Sequence, residues 1–247
     1  MMRPVVRRLA RPFRNQAKAA QAQGRWAEAL FNLQLARRVD GDNVGILLQI
    51  GNMQNELADY AKAEASFREA SNHPEFRLRA EIGLAGVAER RNDWWHAVLH
   101  WEDTLKIMAA EQTEDANAAA GWPMSPALVL LHTSLCRHYL NDPSASERDL
   151  LLAFALEPKV RRLQEAVLMR ARVLSNVDVR GAYRMLKAAH RRYPDDFAIL
   201  FELTKATVIC GERPEAEQYA AALVAMNPSD EGAQAMIRDR GLVLPRG

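Results

Sequence analysis

A pattern of large and small side chains recurs along this 247-residue chain at a step of 34 residues, and few folds accept such a repeat. The clearest copy is Tyr60-Ala61-Lys62-Ala63-Glu64-Ala65-Ser66-Phe67-Arg68-Glu69-Ala70, in which Tyr60, Ala63, Phe67 and Ala70 are spaced 3, 4 and 3 apart. That spacing follows the 3.6-residue turn, so the four side chains share one face of a helix. The small residues admit a neighbouring helix at close range, and the aromatics fill the space beside them. The same spacing returns at Trp26, Ala29, Leu33, Ala36, at Trp94, Ala97, Trp101, Thr104, and at Pro143, Ser146, Leu150, Ala153. It continues at Val179, Ala182, Leu186, Ala189 and at Arg213, Ala216, Ala220, Leu223. The starts at 26, 60 and 94 are 34 apart, 143 follows after 49, and 179 and 213 follow after 36 and 34. A chain with this period stacks like units, each covering the apolar face of the next.

Composition agrees with a folded helical chain. Hydrophobic residues make up 49% and charged residues 26%, the proportions of an ordered globular protein. Ala is abundant and no stretch sustains strand alternation, which favours helices throughout. Two cysteines, Cys136 and Cys210, cannot build a disulfide framework and are expected to be small buried hydrophobes in a reducing compartment. No apolar run is long enough to span a bilayer, and the N-terminus lacks the continuous apolar core of a secretory signal. The net charge of +2 conceals an asymmetry: residues 1–27 hold seven basic and no acidic side chains, while the remainder holds 26 basic and 31 acidic. A basic arm on a mildly acidic body calls for an anionic partner.

Taken in order, residues 1–14 are predicted to form a basic amphipathic arm. Val5, Val6, Leu9 and Phe13 share a face there, flanked by Arg3, Arg7, Arg8, Arg11 and Arg14, a composition suited to an anionic membrane surface. The alternatives are a frayed tail and a helix that caps the first repeat. Nucleic acid is the weaker partner for this arm, because aromatic stacking residues are sparse near it. Residues 15–229 are predicted to be six helix-turn-helix repeats, and residues 230–247 a capping helix and tail. The 49-residue step implies an insertion near 112–126, QTEDANAAAGWPMSP, whose Gly121, Pro123 and Pro126 forbid a continuous helix. An exposed Trp in a loop is unfavourable, so Trp122 is expected to dock and anchor the insertion against the repeats.

These features resemble the tetratricopeptide repeat family over roughly residues 10–228. The resemblance implies an all-α, right-handed α-solenoid of about six repeats, in which first helices line a concave groove that binds peptides, helices or partner domains. In repeats one to three the groove slots hold Arg11, Arg14, Lys18, Gly45, Leu48, Asn52, Asn55, Arg79, Ile82, Gly86 and Glu89, a mixed and basic set. In repeats four to six they include Leu128, Leu131, Leu135, Val167, Ala171, Leu174, Phe201 and Val208, an apolar strip expected to be the partner-binding surface. Its expected occupant is an apolar or amphipathic helix from a partner, from a second copy of this chain, or from the insertion. One subset of the family clamps a C-terminal carboxylate with Lys and Asn. Here the corresponding slots hold Arg14, Lys18, Gln49, Arg79 and Gly83, so both Asn are missing and Gly83 replaces a cation.

Catalysis finds little support. His96 and His100 stand at i and i+4, a spacing able to share a metal, but the Glu of HExxH is absent and the pair is expected to be solvated. Gly83-Leu84-Ala85-Gly86 lies mid-helix without a following Lys-Ser or Lys-Thr, and no GxSxG elbow occurs. The expectation is a non-catalytic scaffold without metal or cofactor, cytoplasmic or peripheral on the inner membrane. Its Ala and Arg usage suits a bacterial chain from a GC-rich genome. By family analogy it would serve envelope or polysaccharide assembly; the alternative is a regulatory partner subunit of an enzyme such as a glycosyltransferase.

Overall fold

The six helices that carry the aromatic–small pattern begin where the spacing places them, at Trp26, Tyr60, Trp94, Pro143, Val179 and Arg213. The computed structural model describes residues 3–115, 118–176 and 178–244, together an all-α solenoid of helical repeats with thirteen α-helices and no strand among the described residues. They are α1 (Arg3–Ala22), α2 (Trp26–Val39), α3 (Val44–Glu56), α4 (Tyr60–Ser71), α5 (Pro74–Arg90), α6 (Trp94–Glu114) and α7 (Pro126–Tyr139). Then come α8 (Pro143–Leu156), α9 (Gln164–Ser175), α10 (Val179–Arg192), α11 (Phe197–Ile209), α12 (Arg213–Met226) and α13 (Glu231–Asp239). The chain divides into two compact units, residues 1–129 and 130–247.

One turn geometry joins the two helices of a repeat. Gly24, Ala58, Asn92, Asn141 and Gly211 occupy the same register, and all five have positive φ, between 58° and 83°. A left-handed residue just past a helix end satisfies its last carbonyls and reverses the chain. Gly and Asn adopt this conformation readily, whereas Ala58 does so against its Cβ. The next residue is the N-cap of the second helix. Asp93, Asp142 and Asp178 accept hydrogen bonds from the backbone N–H of His96, Ala145 and Gly181, capping α6, α8 and α10.

In residues 1–129, α1 is one helix across the expected boundary at residue 14. Ala10, Ala17 and Ala20 of α1 are buried against Ala29, Leu33 and Ala36 of α2 and Ile46, Ile50 and Met53 of α3, with Phe13 packed beside them. The basic segment is therefore the front of a repeat helix rather than a separate arm. The side chains of Arg3 and Arg7 lie outside the described residues. The next layer closes on Phe67, 1% exposed, among Leu47, Leu48, Leu84 and Val87. Its ring stands where side chains of two glycines would start. A Cβ on Gly51 of α3 would lie 2.9 Å from it, and a Cβ on Gly83 of α5 only 2.4 Å.

In residues 130–247, Leu168, Leu186, Ile199 and Leu203 form one core cluster. Leu200, Ala216, Ala220 and Leu223 form the next, which Met236 and Ile237 of α13 close together with Leu242. The predicted capping helix is thus amphipathic and buries one face against α12. A polar staple joins α10 to α12. Glu215 accepts from the Tyr183 hydroxyl, from Lys187 Nζ at 2.6 Å and from the Tyr219 hydroxyl at 2.9 Å. Lys187 and Tyr183 hold the Glu215 carboxyl below the usual carboxylate range. Burial and Glu215 push Tyr219 up to about 12.

Three outcomes are expected. Gly83→Ala should cost ~1–3 kcal/mol in denaturant melts, because the buried ring has no room to yield. Gly86→Ala, with nothing within 4 Å of the new Cβ, should be neutral or stabilising by up to about 1 kcal/mol. Glu215 has a depressed folded pKa, so its contribution is present above its ordinary value of 4.5 and is lost as pH falls through the depressed value. Glu215→Gln should therefore lower Tm at neutral pH, and the difference from wild type should shrink well below pH 4.5 in calorimetry.

Candidate functional site

First helices α1, α3 and α5 put one face each onto a common cleft in residues 1–129. Arg14 comes from α1, Gly45, Leu48, Gln49, Asn52 and Asn55 from α3, and Arg79, Ile82, Gly83 and Gly86 from α5. Together with Phe67 and Pro123 they line a cleft of about 510 Å³. An adjoining cleft of about 560 Å³ shares Arg14 and Gln49 and adds Arg11, Asn15, Lys18 and Gln21. Helical spacing explains the arrangement: Arg11, Arg14 and Lys18 lie three or four apart on one face of α1, as do Asn52 and Asn55 on α3.

The electrostatics of this cleft are one-sided. Among its lining residues there is no Asp or Glu. Arg11, Arg14, Lys18 and Arg79 have no ion pair or side-chain hydrogen bond among the described residues. The Asn55 side-chain Oδ1 is buried without a hydrogen-bond partner, although its neighbours are polar. A buried acceptor left unpaired costs about 1–3 kcal/mol, which a ligand N–H would recover. At Gly86 the floor is open, with nothing within 4 Å of a notional Cβ, so a bound backbone has room to approach.

The slots read for repeats two and three meet here, except Glu89. Its carboxylate instead accepts from the indole N–H of Trp101 at 2.7 Å. Gly83 lacks a cationic side chain because Phe67 fills its place. Asn52 and Asn55 of α3 bring two side-chain amides to the same cleft.

The apolar strip of repeats four to six is placed differently from its expectation as an uncovered surface. Leu131, 4% exposed, and Ala171, 0% exposed, are buried and belong to the core. Leu128, Leu135, Val167, Leu174, Phe201 and Val208 are half-buried. Val167 packs onto the cluster of Leu168 and Leu186, and Phe201 and Val208 onto that of Leu200 and Leu223. Packing of α9 on α11 turns Ala171 inward, into the cluster of Ile199 and Leu203. Beside it, Arg172 pairs with Glu202 at 2.9 Å, and Lys205 with Glu202 at 2.9 Å, so these cations are already neutralised. Burial, then nearby Arg172, holds His138 below the ordinary histidine value.

Trp122 of the insertion is half-buried and donates its indole N–H to Glu111 Oε2 of α6 at 2.8 Å. His96 and His100 do not converge: one bonds Asp93 at 2.8 Å, the other Glu81 at 2.8 Å. No group of three or more His, Cys, Asp or Glu among the described residues is placed to hold a metal ion. Cys136 is buried, and Cys210 is half-buried. No helix among the described residues is long and apolar enough to cross a membrane.

No family sequence model and no curated protein matches the chain. Solved structures do match it. PilW, a widely conserved type IV pilus biogenesis factor, is 18% identical, with a TM-score of 0.69 over 93% of this chain and 98% of its own. A tetratricopeptide repeat protein from Parabacteroides merdae is 12% identical, with a TM-score of 0.65 over 94% of this chain and 92% of its own. YrrB, a repeat protein with an unusual peptide-binding site, is 14% identical, with a TM-score of 0.53 over 83% of this chain and 97% of its own. At such identities the likeness is one of fold and not of task. The fold of this chain is of the tetratricopeptide-repeat type, as the 34-residue step and the aromatic–small spacing imply.

Proposed function

We propose that this chain is a protein-interaction scaffold whose 1–129 unit takes an acidic, extended segment of a partner protein. The observation that carries this reading is the cleft of α1, α3 and α5, with Arg11, Arg14, Lys18 and Arg79 unpaired and no carboxylate lining it. Unpaired cations of one sign in a concave, low-dielectric site focus the field and attract an anion. Gln49, Asn52 and Asn55 add the donors and acceptors that a peptide backbone requires. A nucleic acid fits less well, since the one aromatic ring lining the cleft, Phe67, is buried at 1% exposure and offers no stacking face.

A fluorescein-labelled decapeptide rich in Asp and Glu is the probe, with a Lys-rich peptide as control. Fluorescence anisotropy should show binding of the acidic peptide only, weakening as salt rises. The Arg14→Glu, Arg79→Glu double variant should keep its Tm and lose affinity by at least about tenfold, roughly 1.4 kcal/mol. Unchanged affinity in that variant, or no acidic binding even at low salt, would sink the reading.

A second reading concerns the outer edge of α1. Val5 and Leu9 are 60% and 59% exposed, with exposed Arg8 beside them, a pattern that supports contact with an anionic bilayer surface. Deleting residues 1–14 would remove Ala10 and Phe13 from the core, so point changes are the better test. Val5→Glu with Leu9→Glu should abolish co-sedimentation with phosphatidylserine vesicles without lowering Tm. Equal sedimentation of both forms, or of neither, would remove the membrane.

A further inference from the structure

The insertion between α6 and α7 sends one residue to the cleft of its own unit. Pro123, exposed, stands at the rim with Arg14, Asn52, Asn55, Arg79 and Gly86. Both flanks of this segment are tied down. On one side α6 runs for 21 residues to Glu114, where α2 and α4 have 14 and 12. A 3₁₀ turn, Ala118–Gly121, leads into Trp122, whose indole N–H is held by Glu111. On the other side the Ser125 carbonyl accepts from the N–H of Leu128 at 3.0 Å and of Val129 at 3.1 Å, fixing the start of α7.

Pro123 is nonetheless a poor occupant. Proline has no N–H to give Asn55 and no carboxylate to give the cations. Asn55 Oδ1 stays unpartnered, and Arg14 and Arg79 stay unpaired, in the cleft that Pro123 also lines. The segment narrows the cleft without satisfying any of the groups that line it. An acidic segment would satisfy several of them, and the Trp122 indole ties the segment to Glu111 of α6.

We propose that residues 118–125 are a strap that narrows the cleft through Pro123 and moves aside when an acidic partner binds, so that the chain regulates access to its own binding site. This rests on the reading that the cleft takes an acidic segment. A strap resident in the cleft lowers apparent affinity in proportion to the fraction of time the cleft is open.

The test joins the strap to the floor by a removable bond. Cysteines are introduced as Pro123→Cys and Gly86→Cys in the full chain, with each single variant as control. Mild oxidation should link positions 86 and 123, seen by peptide mass mapping. The oxidised protein should bind the labelled acidic decapeptide at least about tenfold more weakly than the same protein after reduction with dithiothreitol. Replacing residues 118–124 by a Gly-Ser segment of equal length should raise affinity severalfold over wild type. Failure of the link to form would show that the strap does not lie in the cleft. A link that leaves affinity unchanged, or a Gly-Ser replacement that binds like wild type, would overturn the gate while leaving the acidic-cleft reading intact. Absence of peptide binding in every form would instead overturn that reading, and the gate with it.

Discussion

The cleft depends on one ring and two missing side chains. Phe67 of α4 is wedged where Gly51 of α3 and Gly83 of α5 leave no Cβ, at notional distances of 2.9 Å and 2.4 Å. Because interiors are close-packed, this wedge sets how near the three helices approach. Its consequence is seen in the cleft itself, which Phe67 and Gly83 help to line. With α3 and α5 drawn onto Phe67, Asn52 and Asn55 stand beside Arg79 and Gly86 at one cleft. Core packing thus positions the cleft, and the glycine that looked like a lost cation is a packing requirement.

Elsewhere in the same unit arginines are neutralised across repeats. Arg37 pairs with Glu69, Arg90 with Glu56 and Arg91 with Glu64. Each such exposed pair contributes little to stability. Their larger effect is to cancel charge on the outer surface, so that the unpaired Arg11, Arg14, Lys18 and Arg79 dominate the field of the cleft. In residues 130–247, by contrast, Glu202 neutralises Arg172 and Lys205, and Glu215 neutralises Lys187. The two units offer different surfaces although they repeat one helical pattern.

Much of the fold was legible because local spacing and tertiary packing agree. Trp26, Tyr60, Trp94, Pro143, Val179 and Arg213 each mark a helix start, and two positions before Trp26, Tyr60, Trp94, Pro143 and Arg213 a left-handed residue turns the chain. The cleft slots Asn52, Asn55, Arg79 and Gly86 were legible too, because a helix face is periodic. Periodicity could not say how deep a face lies. Leu131 and Ala171 share the spacing of a groove residue and are buried, since depth depends on how closely the next helix stacks. Residues 1–14 read as an arm from their charge, yet Ala10 and Phe13 pack onto α2 and α3, and packing overrides composition there.

From its sequence alone this chain was bound to be a helical repeat array with a basic N-terminal stretch, an interrupted period after residue 111 and a capping helix at its end. Those properties follow from side-chain spacing and formal charge, which need no partner to be read. Tertiary structure alone decided which cations remain unpaired, which apolar slots are closed, and that Pro123 lines one cleft with Arg14 and Arg79. These outcomes depend on contacts between residues far apart in the chain, and no local pattern encodes the distance between them.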